Sequence, residues 1–390
     1  MTSELLSTAA ELWPGADVVP ADAAADGRPV RARYAVLGRG AGATVLVPVD
    51  PRAAAGASLR RTSSATSWWS SMARNAASVA VRAAPALMRQ RVEVRGGEPG
   101  LAEHIGEVLG KPVCFTISIG TARVNRKPVL QVFDMDGRCL AFGKIGWSAH
   151  TSADVSAEGR ALAAVGARHL ERVVPPALLA RTRWQGRPVI LTEPLRPHGW
   201  PSARRRTWEP PLEAMAELAS LFRQEPGPLT ESSWWARQWE QVGGLTDPVS
   251  RGRLARAMEE VARGAGGRPL EWGAWHGDWT PWNMAADGDR TLLWDWERFE
   301  TGVPVGFDAI HHVVNVVAAG TPAGAESVLR GIELALRSTS WPEGDRELTA
   351  RLYLVAILVR YLCLIEVPGG KHIAPRARQV LIALERMCFP

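Results

Sequence analysis

The sequence predicts an α+β protein with two lobes and an additional N-terminal segment. Three observations carry this. Strand-like segments concentrate at 31–49 and 112–195. Helical periodicity dominates from 211 to 387. The chain has 390 residues, 46% of them hydrophobic and 22% charged, enough for more than one core in a soluble globular chain.

The elements follow in order. Residues 1–105 form an N-terminal extension. In it, Arg31 to Leu37 and Thr44 to Val49 read as a β-hairpin across a glycine-rich turn. That turn is not a phosphate loop, because no following helix carries Lys-Ser/Thr. From Arg52 to Val92 there are seven arginines and no acid. Trp69, Met72, Ala76, Val79, Ala83 and Leu87 share one helical face, opposite Arg74, Arg82 and Arg89. This basic amphipathic helix reads first as packed on the core with solvated arginines. A second reading has residues 52–92 touch anionic lipid or an acidic partner weakly.

Residues 106–195 read as a small antiparallel lobe ending in a hinge. Strands are expected at 112–119, 128–133 and 139–145, and a helix at 152–170 carries Glu158. Val189 to Leu195 is a strand running into a turn, with Glu193 and Leu195 at its end. Residues 196–390 form a mainly helical lobe, with helices at 211–223, 251–263, 307–319, 323–336, 346–367 and 375–387.

Composition narrows the function classes. The net charge of +6 suits anionic ligands such as nucleotides without naming one, and no nucleic-acid partner is expected. Arginine supplies 42 of the 46 basic residues, so a lysine at position 144 stands out. Four scattered cysteines form no CxxC pair, which argues against a zinc site and makes a reducing cytoplasm the default. The N-terminus lacks the basic region and apolar core of a signal peptide. The apolar stretch 352–367 carries Arg360 and reads as a buried helix rather than a membrane span.

The chemistry concentrates in His276-Gly277-Asp278-Trp279-Thr280-Pro281-Trp282-Asn283 and the following Trp294-Asp295-Trp296-Glu297. This order and spacing suit phosphoryl transfer. One carboxylate, Asp278, receives the proton of an attacking hydroxyl as catalytic base. An amide oxygen, Asn283, and a second carboxylate, Asp295, hold magnesium as hard oxygen donors.

HGDxxxxN, WDWE and the later Gly302-Val303-Pro304-Val305-Gly306-Phe307-Asp308 resemble the aminoglycoside phosphotransferase and choline kinase family, small-molecule relatives of protein kinases. The resemblance covers roughly residues 112 to 385. It implies a bilobal protein-kinase-like fold, ATP and Mg²⁺ as cofactors and a small-molecule hydroxyl acceptor. It implies that Lys144 contacts the α/β-phosphates and pairs with an acid on the next helix, Glu158 or, less well placed, Asp154. The loop Ser118, Gly120, Thr121 takes the place of the glycine-rich loop, with one glycine where protein kinases have three. Glu193 and Leu195 take the hinge contacts to the nucleotide. His276 and Asp308 brace the catalytic loop. His311 and His312 are assigned to core or cleft packing.

Trp279, Trp282 and Glu297 are candidates for the acceptor pocket, since aromatic walls suit sugars and quaternary amines alike. A cationic acceptor would need acids, and Glu297, Glu300, Asp308 and Glu326 are the ones available. The sequence leaves open an aminoglycoside, a sugar or an amino alcohol. Two other readings remain: a silent nucleotide-binding regulatory protein, and a glycan or protein kinase tethered through its basic helix.

Overall fold

Alternation with period two builds the sheet that carries Lys144. In β7, Cys139–Ile145, burial alternates residue by residue. Cys139, Ala141 and Ile145 face the core, while Leu140, Phe142 and Lys144 face the other side. The computed structural model describes residues 3–37, 45–61, 90–119, 127–196, 209–338 and 345–389. It divides into two units, Met1–Gly159 with Ala177–Arg196, and Arg160–Pro176 with Pro197–Pro390.

In chain order the first unit holds α1 (Ser3–Glu11), β1 (Ala16–Pro20), β2 (Val30–Leu37), β3 (Val45–Pro48), α2 (Arg52–Arg61), β4 (Arg91–Gly96), α3 (Leu101–Leu109), β5 (Val113–Ile119), β6 (Pro128–Asp134) and β7. Helix α4 (Ala149–Gly166) crosses into the second unit, which takes β8 (Val173–Val174); β9 (Leu178–Trp184) and β10 (Arg187–Thr192) return to the first. Among the described residues the first unit has one antiparallel sheet of nine strands, in the order β1-β4-β2-β3-β5-β6-β7-β10-β9.

The N-terminal extension thus does more than form a hairpin. Its strands continue the sheet through β3 and β5, where Val45 faces Ser118 and Leu46 faces Ile117. The sides share one core. Trp13 is 1% exposed, stacks on Phe115 at 5.7 Å and tilts against Tyr34 at 5.9 Å. Sequence pattern missed α1, β1, β4 and α3. They are short, and their partners lie far along the chain. Helix α3 has a local signature nonetheless: the Gly100 amide donates to Glu103 Oε2 at 2.8 Å, and Gly110 closes the helix in the left-handed conformation.

The basic stretch begins as α2, whose Ala54, Ala55 and Ala57 are buried against Val47, Phe133 and Cys139. The amphipathic face proposed from Trp69 to Leu87, the glycine run 38–42, Gly120 and Thr121 lie outside the described residues.

The second unit continues with α5 (Leu212–Leu221), β11 (Gln224–Pro228), α6 (Ser233–Gly243), α7 (Pro248–Ala265), β12 (Pro269–Trp275), β13 (Met284–Asp287), β14 (Arg290–Leu293), β15 (Glu300–Pro304), α8 (Phe307–Gly320), α9 (Ala325–Ser338), α10 (Asp345–Glu366) and α11 (Ala374–Cys388). Local caps start two of its helices. Ser232 accepts from the Trp235 amide before α6, and Asp247 accepts from the Val249 and Ser250 amides before α7.

Two small sheets position the loops between them. One has the order β11-β12-β15 and the other β13-β14-β8. Glu217 fixes the approach to β8 by accepting from the backbone amides of Glu171, Arg172 and Val173 at 2.6, 3.0 and 2.8 Å. Helix α10 has a 21-residue stretch, Arg346–Glu366, that is long and apolar enough to cross a membrane. However, 72% of its most apolar window is buried within the protein, as a core helix requires.

Trp13→Ala tests whether the N-terminal strands share the core of the first unit. Removing a fully buried indole should cost about 3–5 kcal/mol. Thermal unfolding should shift down by several degrees, and an unchanged Tm would show that the extension is not part of that core.

Candidate active site

The loop after β12 is held from behind by a buried carboxylate. Asp308, 4% exposed in the first turn of α8, accepts from the His276 amide at 2.7 Å and the Gly277 amide at 3.1 Å. Gly277 is required on two counts. Its φ is +79°, and an added Cβ would sit 2.3 Å from the Arg298 carbonyl oxygen. The Gly277 carbonyl accepts from Arg360 of α10 at 2.6 Å. Arg360 also lies 4.8 Å above the Trp275 ring. His276 is fully buried, and its Nδ1 accepts from the Asp278 amide at 3.3 Å. The ring meets Trp296 edge-on at 4.8 Å.

With the backbone fixed, the side chains of the motif converge. Asn283 Nδ2 donates to Asp278 Oδ2 at 2.8 Å and to the Asp278 carbonyl at 3.0 Å. The Trp294 amide donates to the Asn283 carbonyl at 3.1 Å, and Met284 pairs with Leu293 across β13 and β14. The hairpin therefore delivers Asp295 beside Asn283. Asp295 has φ 66° and ψ 59°, a left-handed conformation uncommon for residues other than glycine.

These donors fit a magnesium ion. Asn283 commits its N–H₂ to Asp278, so its amide oxygen is the atom that would face a metal. One amide oxygen and one carboxylate suit a cation that keeps several waters. Among the described residues there is no group of three or more His, Cys, Asp or Glu side chains able to hold a metal.

His311, which sequence pattern assigned to packing, joins the site. Its Nε2 lies 3.3 Å from Asp278 Oδ1 and its Nδ1 lies 3.1 Å from the Tyr353 hydroxyl. The only sequence signal for it is position: it falls one turn after Asp308 on the same helix.

In the first unit, Lys144 Nζ donates to both Glu158 oxygens, at 2.6 and 2.7 Å. Asp154, the alternative acid, lies 3.5 Å from His150 instead. Ser118 is on β5, half-buried; Glu193 is exposed and donates its amide to the Ala177 carbonyl at 2.8 Å; Leu195 is half-buried.

The acceptor-pocket assignment needs two corrections. Trp279 is 0% exposed, and its Nε1 points at Met284 Sδ at 3.2 Å, so it packs the loop and walls no open pocket. Trp282 is 48% exposed and stays available. The acids offered for a cationic acceptor are engaged. Glu297 lies 3.9 Å from Arg298, Glu300 2.9 Å from Arg237, and Glu326 is paired with Arg386. Asp308 is buried on the loop amides.

No protein-family model matches the chain, and no curated protein sequence matches it. Solved structures do. A thermostable mutant of aminoglycoside phosphotransferase APH(4)-Ia, in ternary complex with ADP and hygromycin B, aligns at TM-score 0.50 with 14% identity, over 74% of this chain and 98% of that one. The apo form of a thermostable mutant of the same enzyme aligns at TM-score 0.50 with 15% identity, over 73% and 98%. This chain has the aminoglycoside phosphotransferase fold. A choline/ethanolamine kinase family protein from Mesorhizobium loti aligns at TM-score 0.37 with 15% identity, over 69% and 92%.

On this fold, burial sets the protonation around the loop. It pushes His276 down to about 4, against the opposing pull of Asp278 and Asp295. It pushes the Asp308 carboxyl up to about 7, against the two backbone donors and Arg360. It also holds His311 below the usual imidazole value, although its bond to Asp278 pulls the other way.

These shifts act on stability with opposite signs. The unfolded chain protonates its histidine near 6.5, whereas folded His276 resists until about 4. Its contribution is therefore present above 6.5 and is lost as pH falls through that window. Asp308 contributes stability below 3.8 that is lost as pH rises through about 7. His276→Gln should flatten the acid-side loss by up to about 1.4 kcal/mol per pH unit relative to wild type. Denaturant unfolding at several pH values between 4 and 6.5 reads this, and parallel curves for the two proteins would refute it.

Proposed function

We propose that this chain is an ATP-dependent phosphotransferase that moves a γ-phosphoryl group to a hydroxyl of a small molecule. One observation carries the reading: Asp278 and Asn283 meet at 2.8 Å, and the β13–β14 hairpin brings the backbone just before Asp295 against Asn283. The ADP-bound phosphotransferase of the same fold supports it.

The roles follow from chemistry. The Asp278 side chain is 40% exposed, so a hydroxyl can reach it. Asp278 orients that hydroxyl and takes its proton as the oxygen bonds to the γ-phosphorus. The bond between that phosphorus and the bridging oxygen breaks, and the electron pair leaves with ADP. Asn283 and Asp295 are the residues that would hold Mg²⁺, whose chemistry when bound would be to neutralise charge on the phosphates. Lys144, fixed by Glu158, supplies a cation for the α/β-phosphates. His276 and Asp308 hold the loop.

The acceptor classes are aminoglycosides, sugars and amino alcohols. Hygromycin B, bound by the phosphotransferase of this fold, belongs to the first.

An ATP-consumption screen over aminoglycosides, macrolides, sugars, choline-like alcohols and homoserine should find acceptor-dependent turnover. Asp278→Asn should lower kcat about 10²–10⁴-fold with little change in nucleotide affinity. Lys144→Met should raise the KM for ATP or abolish turnover. Wild-type turnover with no acceptor, or an Asp278→Asn variant as active as wild type, would remove this reading.

A further inference from the structure

We propose that His311, set by Tyr353, is a positioning residue that fixes the carboxylate plane of Asp278 by donating Nε2–H to its Oδ1. The inference rests on the reading of Asp278 as the catalytic base, but its central contact can be tested without turnover.

Two helices hold the loop, α8 directly at two residues and α10 directly at one. On α8, Asp308 holds the backbone amides of His276 and Gly277, and His311, three residues on and on the same face, reaches the side chain of Asp278. On α10, Tyr353 backs His311, and Arg360, seven residues on and again on the same face, holds the Gly277 carbonyl. Each helix thus supplies one backbone clamp and one member of the chain that ends on the carboxylate.

The proton positions follow from burial. Tyr353 is 2% exposed and its phenol is held far above its ordinary range by desolvation, so it keeps its hydrogen and needs an acceptor. His311 Nδ1, at 3.1 Å, is that acceptor. A buried imidazole held neutral then carries its single hydrogen on Nε2, facing Asp278 Oδ1 at 3.3 Å. The opposite tautomer would aim a nitrogen lone pair at a carboxylate oxygen. With Oδ2 held by Asn283, both oxygens of Asp278 are tethered and its plane is set before any acceptor arrives. The 3.3 Å distance is long, as such contacts often are before substrate binds.

The same geometry excludes a proton shuttle. The His311 side chain is 5% exposed and ends on a buried phenol, so a proton passed to it has no path onward. Asp278 keeps its open side for the acceptor.

Two measurements test this. In the full-length protein labelled with ¹⁵N-histidine, the His311 signal, assigned by its loss in His311→Gln, should report the Nε2–H tautomer. Asp278→Asn should shift that signal, and Tyr353→Phe should redistribute the tautomer. A His311 in the Nδ1–H form, or one unmoved by Asp278→Asn, overturns the proposal whether or not an acceptor is known.

With any acceptor found by the screen, His311→Ala should lower kcat about tenfold or more while the KM for ATP stays within about twofold. His311→Gln, which keeps a donor toward Oδ1, should recover most of the loss. A His311→Ala kcat within twofold of wild type, or a Gln variant no better than Ala when both fold, also overturns it. Should no acceptor be phosphorylated while the labelled histidine behaves as described, the contact stands and the failure belongs to the phosphotransferase reading.

Discussion

The second unit is organised around the buried Asp308 carboxylate and the two backbone amides it accepts. Those amides belong to His276 and Gly277, at the turn where β12 ends and the loop begins. Without a buried acceptor they would be unsatisfied donors in a closed interior, each costing about 1–3 kcal/mol. The contact fixes the direction in which the chain leaves β12. Everything downstream depends on that direction: the Asp278 side chain, its bond to Asn283, and the hairpin that presents Asp295. The site is therefore a backbone construction first and a set of reactive side chains second.

The surrounding helices place ionisable groups where a core normally avoids them. His311 and Asp308 are buried and Arg360 is half-buried, and each finds its partner in the loop. Isolated, these groups would be costly in a low-dielectric interior. Together they satisfy one another's partners and leave the loop few alternative conformations. Trp275, beneath Arg360 and edge-on to His311, completes the packing. The aromatic density that reads as a ligand wall in sequence is here mostly structural support; Trp279, wholly buried, is the clearest case.

The first unit shows a different economy. Its sheet gains four strands from the N-terminal extension, and the join is sealed by Trp13 against Phe115 and Tyr34. Lengthening a sheet moves its exposed edge away from the strand that carries Lys144. Lys144 itself is held by Glu158 from the helix that follows. The resemblance to the kinase family implied a partner acid on that helix, and the fold selects Glu158 over Asp154.

Local pattern determined much here. The period-two burial of β7 puts Lys144 on one face, and six helices of the second unit were readable from their periodicity. Asp278, Asn283 and Asp295 stood out by their order and spacing, and the chain places them within one loop and one hairpin. Tertiary structure decided the rest. His311, Tyr353 and Arg360 lie 33, 75 and 82 residues from Asp278 and have no spacing rule that links them to it. Packing of α8 and α10 alone brings them to the loop. Nothing in Trp279 or Trp282 as letters distinguishes a buried indole from an exposed one, and nothing in residues 1–48 announces a shared sheet. Burial and strand partnership are properties of distant segments meeting, so they become visible only once the chain has folded.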